Sequence, residues 1–294
     1  MFIATLIAAD DLTRGDISLA EDALRAAGLA PLGTKWVEEG KACDISFESG
    51  ARTARAALEG VVAKTDVVIQ LEERRRRKLL VADMDSTMIT VECIDELADY
   101  AGVKAEIAEV TERAMRGELD FEAALDARVA MLKGLDESVI DRCHAERVRL
   151  TPGAVELVRT TRRAGGHCLL VSGGFTRFTD KVAAEIGFDR AVANVLHIEG
   201  GQLTGTVARP IVGTQSKRDA LVETAASLGI GLDWTMAIGD GANDIPMIEA
   251  AGLGVSYRAK PAAAAAADAR IEHNDLTALL YAQGYPRSEW EGAR

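Results

Sequence analysis

Lys78-Leu79-Leu80-Val81-Ala82-Asp83-Met84-Asp85-Ser86-Thr87 is the stretch on which the reading of this 294-residue chain turns. Its short apolar run reads as a buried strand that ends at a carboxylate. Residues two apart in an extended chain point the same way, so Asp83 and Asp85 are expected to lie close together. Such a pair repels itself, and either one proton is shared or a cation sits between the two. Taken alone, the same residues also suit a plain helix N-cap at Asp85 or Ser86.

Three further segments repeat the pattern of polar residues at a strand end or helix start. Val171-Ser172-Gly173-Gly174 offers a hydroxyl, free backbone N–H groups and glycines that let a phosphate oxygen come close, although small residues in such a turn also occur for geometric reasons alone. Lys217, in Gln215-Ser216-Lys217-Arg218 at the start of a helical stretch, is a mobile point charge suited to a phosphate oxygen; a lone lysine is more often plain surface. Gly239-Asp240-Gly241-Ala242-Asn243-Asp244 follows an apolar strand and adds two carboxylates and an amide. In open parallel sheets ligands bind outside the carboxyl ends of the strands, and here three strands deliver polar groups there. Beside a phosphate, hard oxygen ligands favour Mg²⁺.

Working outward, apolar residues recur at helical spacing from about Glu92 to Leu150. The pieces Cys93 to Tyr100, Lys104 to Arg116, Phe121 to Leu132 and Glu137 to Glu146 read as a compact helical insertion beside the sheet. Strands at His167 to Val171 and Thr235 to Ile238 then alternate with helices at Arg177 to Ile186 and Ala242 to Ala250, an order that implies a parallel sheet. Val195 to Glu199 and Gln202 to Val207, joined by Gly200-Gly201, read as a β-hairpin. Ahead of all this, strands at Phe2 to Ala8, Ile45 to Glu48 and Asp66 to Gln70 alternate with helices at Ala20 to Ala27 and Arg52 to Val62. The basic run Arg74 to Lys78 follows Glu72 and Glu73 without an interleaved aromatic residue and reads as a solvated linker rather than a nucleic-acid patch.

The expected class is therefore α/β: a Rossmann-like parallel sheet over residues 76–294 with a helical cap inserted at about 92–150. A small α+β module of ferredoxin-like or ACT-like kind, residues 1–75, precedes it. The net charge of -12 and pI of about 4.9 disfavour nucleic acid or an anionic membrane as partner, so an anionic substrate must be held locally. Cys43, Cys93, Cys143 and Cys168 form no CxxC pair, which argues against a zinc site or a disulfide framework and fits a reducing compartment. No apolar stretch reaches the roughly 18–20 residues of a membrane span, and a cytoplasmic location is expected. His144, His167, His197 and His273 show no triad or metal spacing, and Trp234 and Phe175 read as packing residues.

The four polar segments, in this order, resemble the haloacid dehalogenase-like phosphatase superfamily. The wording DMDSTMITVECIDE with GDGANDIPM resembles the phosphoserine phosphatases within it, over about residues 78–285. The resemblance implies that Asp83 attacks phosphorus to give an aspartyl-phosphate and that Asp85 first protonates the leaving oxygen, then activates water. It implies Mg²⁺ held by Asp83, the main-chain carbonyl of Asp85, and Asp240, with Lys217, Ser172 and the Gly173 N–H neutralising the phosphoryl group. Asn243 would help bind phosphate, and Asp244 would orient Lys217 or a metal-bound water. Glu92 would meet the substrate amine, Arg128 its carboxylate, and Phe121 would shield the site. The implied reaction is hydrolysis of O-phosphoserine to serine and phosphate, the last step of serine biosynthesis. A related phosphatase or phosphotransferase acting on phosphohomoserine, and a phosphate-binding homologue without turnover, are the alternatives. The first 75 residues loosely resemble amino-acid-sensing modules; a spacer or dimerising role, with the chain as a homodimer, is equally open.

Overall fold

The computed structural model describes residues 1–115 and 118–292. The N-terminal part runs β1 Phe2–Ala8, α1 Arg14–Ala26, β2 Gly33–Glu38, β3 Ala42–Phe47, α2 Ala51–Leu58 and β4 Thr65–Leu71, in an antiparallel sheet of order β2-β3-β1-β4. This is the βαββαβ, ferredoxin-like arrangement. Thr13 starts α1 through a capping box with Asp16. Helix residues Ile17, Ala20, Leu24, Ala54 and Leu58 pack with Leu6, Ile45, Phe47 and Val67 on one face of the sheet. The period of two sends the neighbouring Ile7 and Val68, with Ala42, into the other face, where they join the core of the rest of the molecule. The module is thus docked, its sheet covered on both faces except along the edge strand β2.

That docking corrects the reading of the basic run. Arg75 and Arg77, two apart, turn inward while Arg76 and Lys78 stay exposed. Arg75 grips Asp44 at 2.7 and 3.1 Å and also donates to the carbonyl of Ala282, and Arg77, only 5% exposed, donates to Gln70 at 2.6 Å. Gln70 in turn donates to the Ala282 carbonyl at 2.8 Å. The segment is a buried seam between the two parts, not a solvated tether.

The larger part continues with β5 Leu79–Ala82, then α3 Cys93–Ala101, α4 Lys104–Met115, α5 Phe121–Met131 and α6 Ser138–Arg147. The expected cap helices fall within a residue of these, and Arg116, the expected end of the second, lies outside the described residues. Next come α7 Ala154–Arg163, β6 His167–Phe175, α8 Thr176–Ile186, β7 Arg190–Asn194, β8 Leu196–Glu199, β9 Gln202–Val207 and α9 Thr214–Ser227. The chain then forms β10 Thr235–Gly239, α10 Ile245–Ala250, β11 Leu253–Tyr257, α11 Pro261–Ala266, β12 Ala269–Ile271 and α12 Ala278–Ala282. Among the described residues the large sheet has six parallel strands in the order β12-β11-β10-β5-β6-β7. Strands β10, β5 and β6 are neighbours, so the three polar strand ends share one edge. The cap leans on the β8–β9 hairpin as well as on the sheet: the N–H groups of Gly134 and Glu137 donate to the carbonyls of Leu203 and Gly201, each at 2.8 Å. No helix among the described residues is long and apolar enough to cross a membrane.

Candidate active site

Strand β5 delivers Asp83 one residue beyond its last residue, Ala82, and the Asp83 N–H still donates to Ile238 of β10 at 2.9 Å. Asp83 Oδ1 accepts from the Met84 N–H and from Lys217 Nζ, each at 2.7 Å. Its other oxygen, Oδ2, has no partner among the described residues. Lys217 stands in the first turn of α9 and is fully buried, and its Nζ also donates to Asp244 Oδ1 at 2.7 Å. Asp244 Oδ2 accepts the N–H groups of Asp240 and Gly241 at 3.1 and 3.0 Å. A Cβ on Gly239 would come 2.4 Å from the Asp244 carboxyl carbon, so glycine is needed where β10 ends. Thr87 donates to Asp240 Oδ1 at 3.3 Å.

Ligand oxygens of Asp83, Asp240 and Asp244 lie within 4.8 Å of one another, all from buried residues. Against these three carboxylates Lys217 is the ammonium in direct contact among the described residues, pairing with Asp83 and Asp244, while Lys260 acts on Asp240 from farther off. Fully ionised, the group carries two surplus negative charges in a low-dielectric site, an arrangement that a divalent cation with a taste for oxygen would neutralise. The titration behaviour reflects the same surplus. Burial and the charge of Asp244 push Asp83 well above the usual carboxylate range despite Lys217. Burial, with Asp244 and Glu92, pushes Asp240 up to about 6. Burial alone would depress Lys217, but Asp244 and Asp83 more than offset it and hold its pKa above the ordinary lysine value.

The cap closes the other side. Between Asp83 and the cap the chain makes a tight turn at Met84–Met88, with Ser86 at φ +55°, a left-handed conformation that a non-glycine residue adopts only when its surroundings hold it there. The Asp85 carboxylate is not one of the three in that cluster: Oδ1 accepts the Cys93 N–H at 2.9 Å, and Oδ2 lies 3.4 Å from Ser172 Oγ. Burial and the nearby Glu92 push its pKa up to about 7. Glu92 accepts from Ser86 Oγ at 2.7 Å. Ser172 Oγ accepts the Gly174 N–H at 2.8 Å, and a Cβ on Gly174 would crowd Asp85 at 2.9 Å. A Cβ on Gly173 would come 2.8 Å from the Phe121 ring. Arg128, on the same helix as Phe121, is mostly buried; burial lowers its pKa while Asp95, Glu92 and Asp85 act to raise it.

The family model for haloacid dehalogenase-like hydrolases matches residues 80–249. The chain belongs to that family. Among its relatives, a phosphoserine phosphatase of Albidiferax ferrireducens is 49% identical over 208 residues, covering 69% of this chain and 88% of the relative. Another, from Streptomyces coelicolor, is 48% identical over 244 residues, covering 82% of this chain and 59% of the relative. This hydrolase chain thus spans well under two thirds of the Streptomyces protein. A probable phosphoserine phosphatase from Vibrio cholerae, solved by crystallography, superposes with a TM-score of 0.79 at 34% identity, covering 98% of this chain and 88% of that one.

Within this haloacid dehalogenase-like hydrolase, the structure brings Asp83, Lys217, Asp240 and Asp244 together, Asp85 beside Ser172 and close to Glu92, and Phe121 over Gly173. Asn243 is half-buried in the turn after Gly241, its side chain without a hydrogen-bond partner among the described residues. The cluster of side-chain carboxylates joins Asp244 to Asp83 and Asp240, two of the residues that the resemblance implies for the metal. Both Asp244 oxygens are engaged by Lys217 and by backbone N–H groups, and the Asp85 carboxylate is engaged by the Cys93 N–H and the Ser172 hydroxyl. No histidine joins the site: His144 packs near Phe178, His167 faces Asp189, His197 meets Thr206, and the His273 N–H donates to Asp66. Sequence reasoning missed Thr87, which lies inside the quoted motif, and Asn194, whose distant partners give no signal in the sequence.

Proposed function

We propose that this hydrolase converts O-phosphoserine to serine and inorganic phosphate through Asp83. The observation that carries the reading is the buried array in which Lys217 bridges Asp83 and Asp244 at 2.7 Å each while Asp83 Oδ2 has no partner among the described residues. Lys217 fixes the carboxylate through one oxygen and leaves the other to attack. An O–P bond forms to Asp83, the bond from phosphorus to the serine oxygen breaks, and Asp85 gives its proton to that oxygen. A carboxyl pushed to about 7 can hold a proton at neutral pH and take one back in the next step. Asp85 then removes a proton from water, the water oxygen bonds to phosphorus, and the bond to Asp83 breaks to release phosphate.

Lys217, Ser172 Oγ and the Gly173 N–H would stabilise charge on the phosphoryl oxygens, and Asn243, whose amide has no hydrogen-bond partner among the described residues, would add to them. The donor set fits Mg²⁺, which Asp83, the Asp85 main-chain carbonyl and Asp240 would hold, with Asp244 steering Lys217. When bound, the ion supplies positive charge that lets one anion approach another. For substrate choice, Glu92 suits the substrate ammonium and Arg128 its carboxylate, and the names of the relatives support the same assignment. Thr87 would fix the orientation of Asp240.

Phosphate release from a panel of O-phosphoserine, phosphohomoserine and an aryl phosphate, with and without Mg²⁺, tests this reading. O-phosphoserine should be turned over best and only with the metal. Arg128→Ala should raise KM for it by roughly 10- to 100-fold, the worth of a charged hydrogen bond, while leaving the aryl phosphate nearly unaffected. Equal losses on both substrates would show that Arg128 does not read the carboxylate.

A further inference from the structure

The ring of Phe121, at the first position of α5, rests on two glycines from different segments. A Cβ on Gly173 would lie 2.8 Å from ring Cζ, and one on Gly213 would lie 2.9 Å from Cδ1 and 3.2 Å from Cε1. The three atoms nearest to that second Cβ all belong to the ring. The Gly213 backbone, at φ −124° and ψ −157°, is extended and open to any residue. Conformation therefore does not demand a glycine there; the space taken by Phe121 does.

One buried side chain binds the two glycine segments to each other. Asn194, at the end of β7, donates from Nδ2 to the carbonyls of Gly173 and Val212 at 2.9 and 3.1 Å, and its Oδ1 accepts the Val212 N–H at 2.8 Å. It is 2% exposed, so replacing its amide would leave buried backbone groups without partners. At the far end of α5, Gly205 of β9, at φ +84°, lets the hairpin approach: a Cβ there would meet the Lys133 Cβ at 3.0 Å. The helix is thus supported at both ends, on the hairpin and on the glycine pair.

We propose that Gly173, Gly213 and Asn194 form a seat for the Phe121 ring, and that Gly213 is a positioning residue which sets how deeply the ring enters and so which leaving groups fit beneath the cap. The inference rests on the phosphatase reading for its substrate, and adds to it a position that touches neither substrate nor metal. Because the ring lies on Gly173, whose N–H faces the phosphoryl group in the proposed reaction, its depth and the height of the space above Ser172 are one variable. A compact leaving group such as serine is held by a fully seated ring. A flat aryl group needs the ring lifted.

The test is a double-mutant cycle on the full chain with Gly213→Ala and Phe121→Ala. Gly213→Ala should raise KM for O-phosphoserine about tenfold, as expected when a methyl overpacks a fitted contact, and change kcat less. For p-nitrophenyl phosphate its effect should stay within about twofold. In the Phe121→Ala background the added methyl should have no further effect, since the atoms it meets are gone. Phe121→Leu should partly rescue Gly213→Ala. Unchanged KM in the single variant, or the same shift in both backgrounds, overturns the proposal. The cycle read as melting temperature uses no substrate: a loss on Gly213→Ala that Phe121→Ala removes supports the seat, and one that persists refutes it. If the wild-type chain fails to hydrolyse O-phosphoserine, the substrate assignment falls while the thermal cycle still decides the seat.

Discussion

The molecule buries charge at two places, the seam between its sheets and the strand ends of the larger one, and builds them on opposite terms. At the seam Asp44 meets a two-pronged Arg75 and the Thr5 hydroxyl, and Asp66 accepts the N–H groups of Glu272, His273 and Asn274 together with the Asn274 amide. At the strand ends Asp83, Asp240 and Asp244 cluster around one Lys217 that pairs with Asp83 and Asp244. A matched set of donors fixes geometry and needs nothing more. A surplus of buried anions raises proton affinity and calls for a cation, which is the condition of a site that handles phosphate.

The largest expected consequence of this contrast lies at the strand ends. Asp83→Asn removes the oxygen proposed to attack and one of the crowded charges together. Turnover should fall by at least roughly 10³-fold, as losses of a nucleophile do, while the melting temperature stays the same or rises. A variant with normal phosphate release would remove Asp83 from the mechanism. At the seam the opposite pattern is expected. Asp44→Ala leaves Arg75 buried without its anion and should cost about 3 kcal/mol of stability, measured by denaturant unfolding, with kcat of the folded fraction unchanged. An unchanged unfolding midpoint would show that the seam is not a structural joint.

A smaller effect sharpens the comparison through pH. Without metal, Asp240 and Asp85 hold protons up to about 6 and 7, whereas the unfolded chain releases them near the ordinary carboxylate value. The folded state then binds more protons between about pH 4 and 7, so these groups favour folding at low pH and that contribution is lost as pH rises through the window. Thermal melts in chelator should show the loss, and Mg²⁺ should raise the melting temperature more at pH 8 than at pH 5. A Mg²⁺ shift that is larger at pH 5 would contradict the surplus-charge account.

How much of this was legible in the sequence follows from the range of the interactions. Asp83, Ser172 and Asp240 announce themselves because each ends a run of apolar residues, a local pattern. The strands β2, β7, β11 and β12 were not read: β2 is half-exposed at a sheet edge, β12 has only three residues, and β7 and β11 are short runs that include alanine or glycine. The seam was misread because its decisive pairs, Arg75 with Asp44 and Gln70 with Ala282, join residues far apart in the chain, and a basic run looks the same whether it faces water or a buried aspartate. Gly213 gave no signal, since its meaning depends on a ring that arrives from the cap 92 positions earlier in the numbering.

The claim that everything else serves is that the phosphoryl group passes through the Asp83 carboxylate. Rapid acid quench of the enzyme during turnover of O-phosphoserine with Mg²⁺, followed by digestion and mass spectrometry, should locate a phosphoryl group on the peptide carrying Asp83 and on no other aspartate. Steady turnover with Asp83 unmodified and the label on Asp85, Asp240 or a water-borne product alone would contradict it.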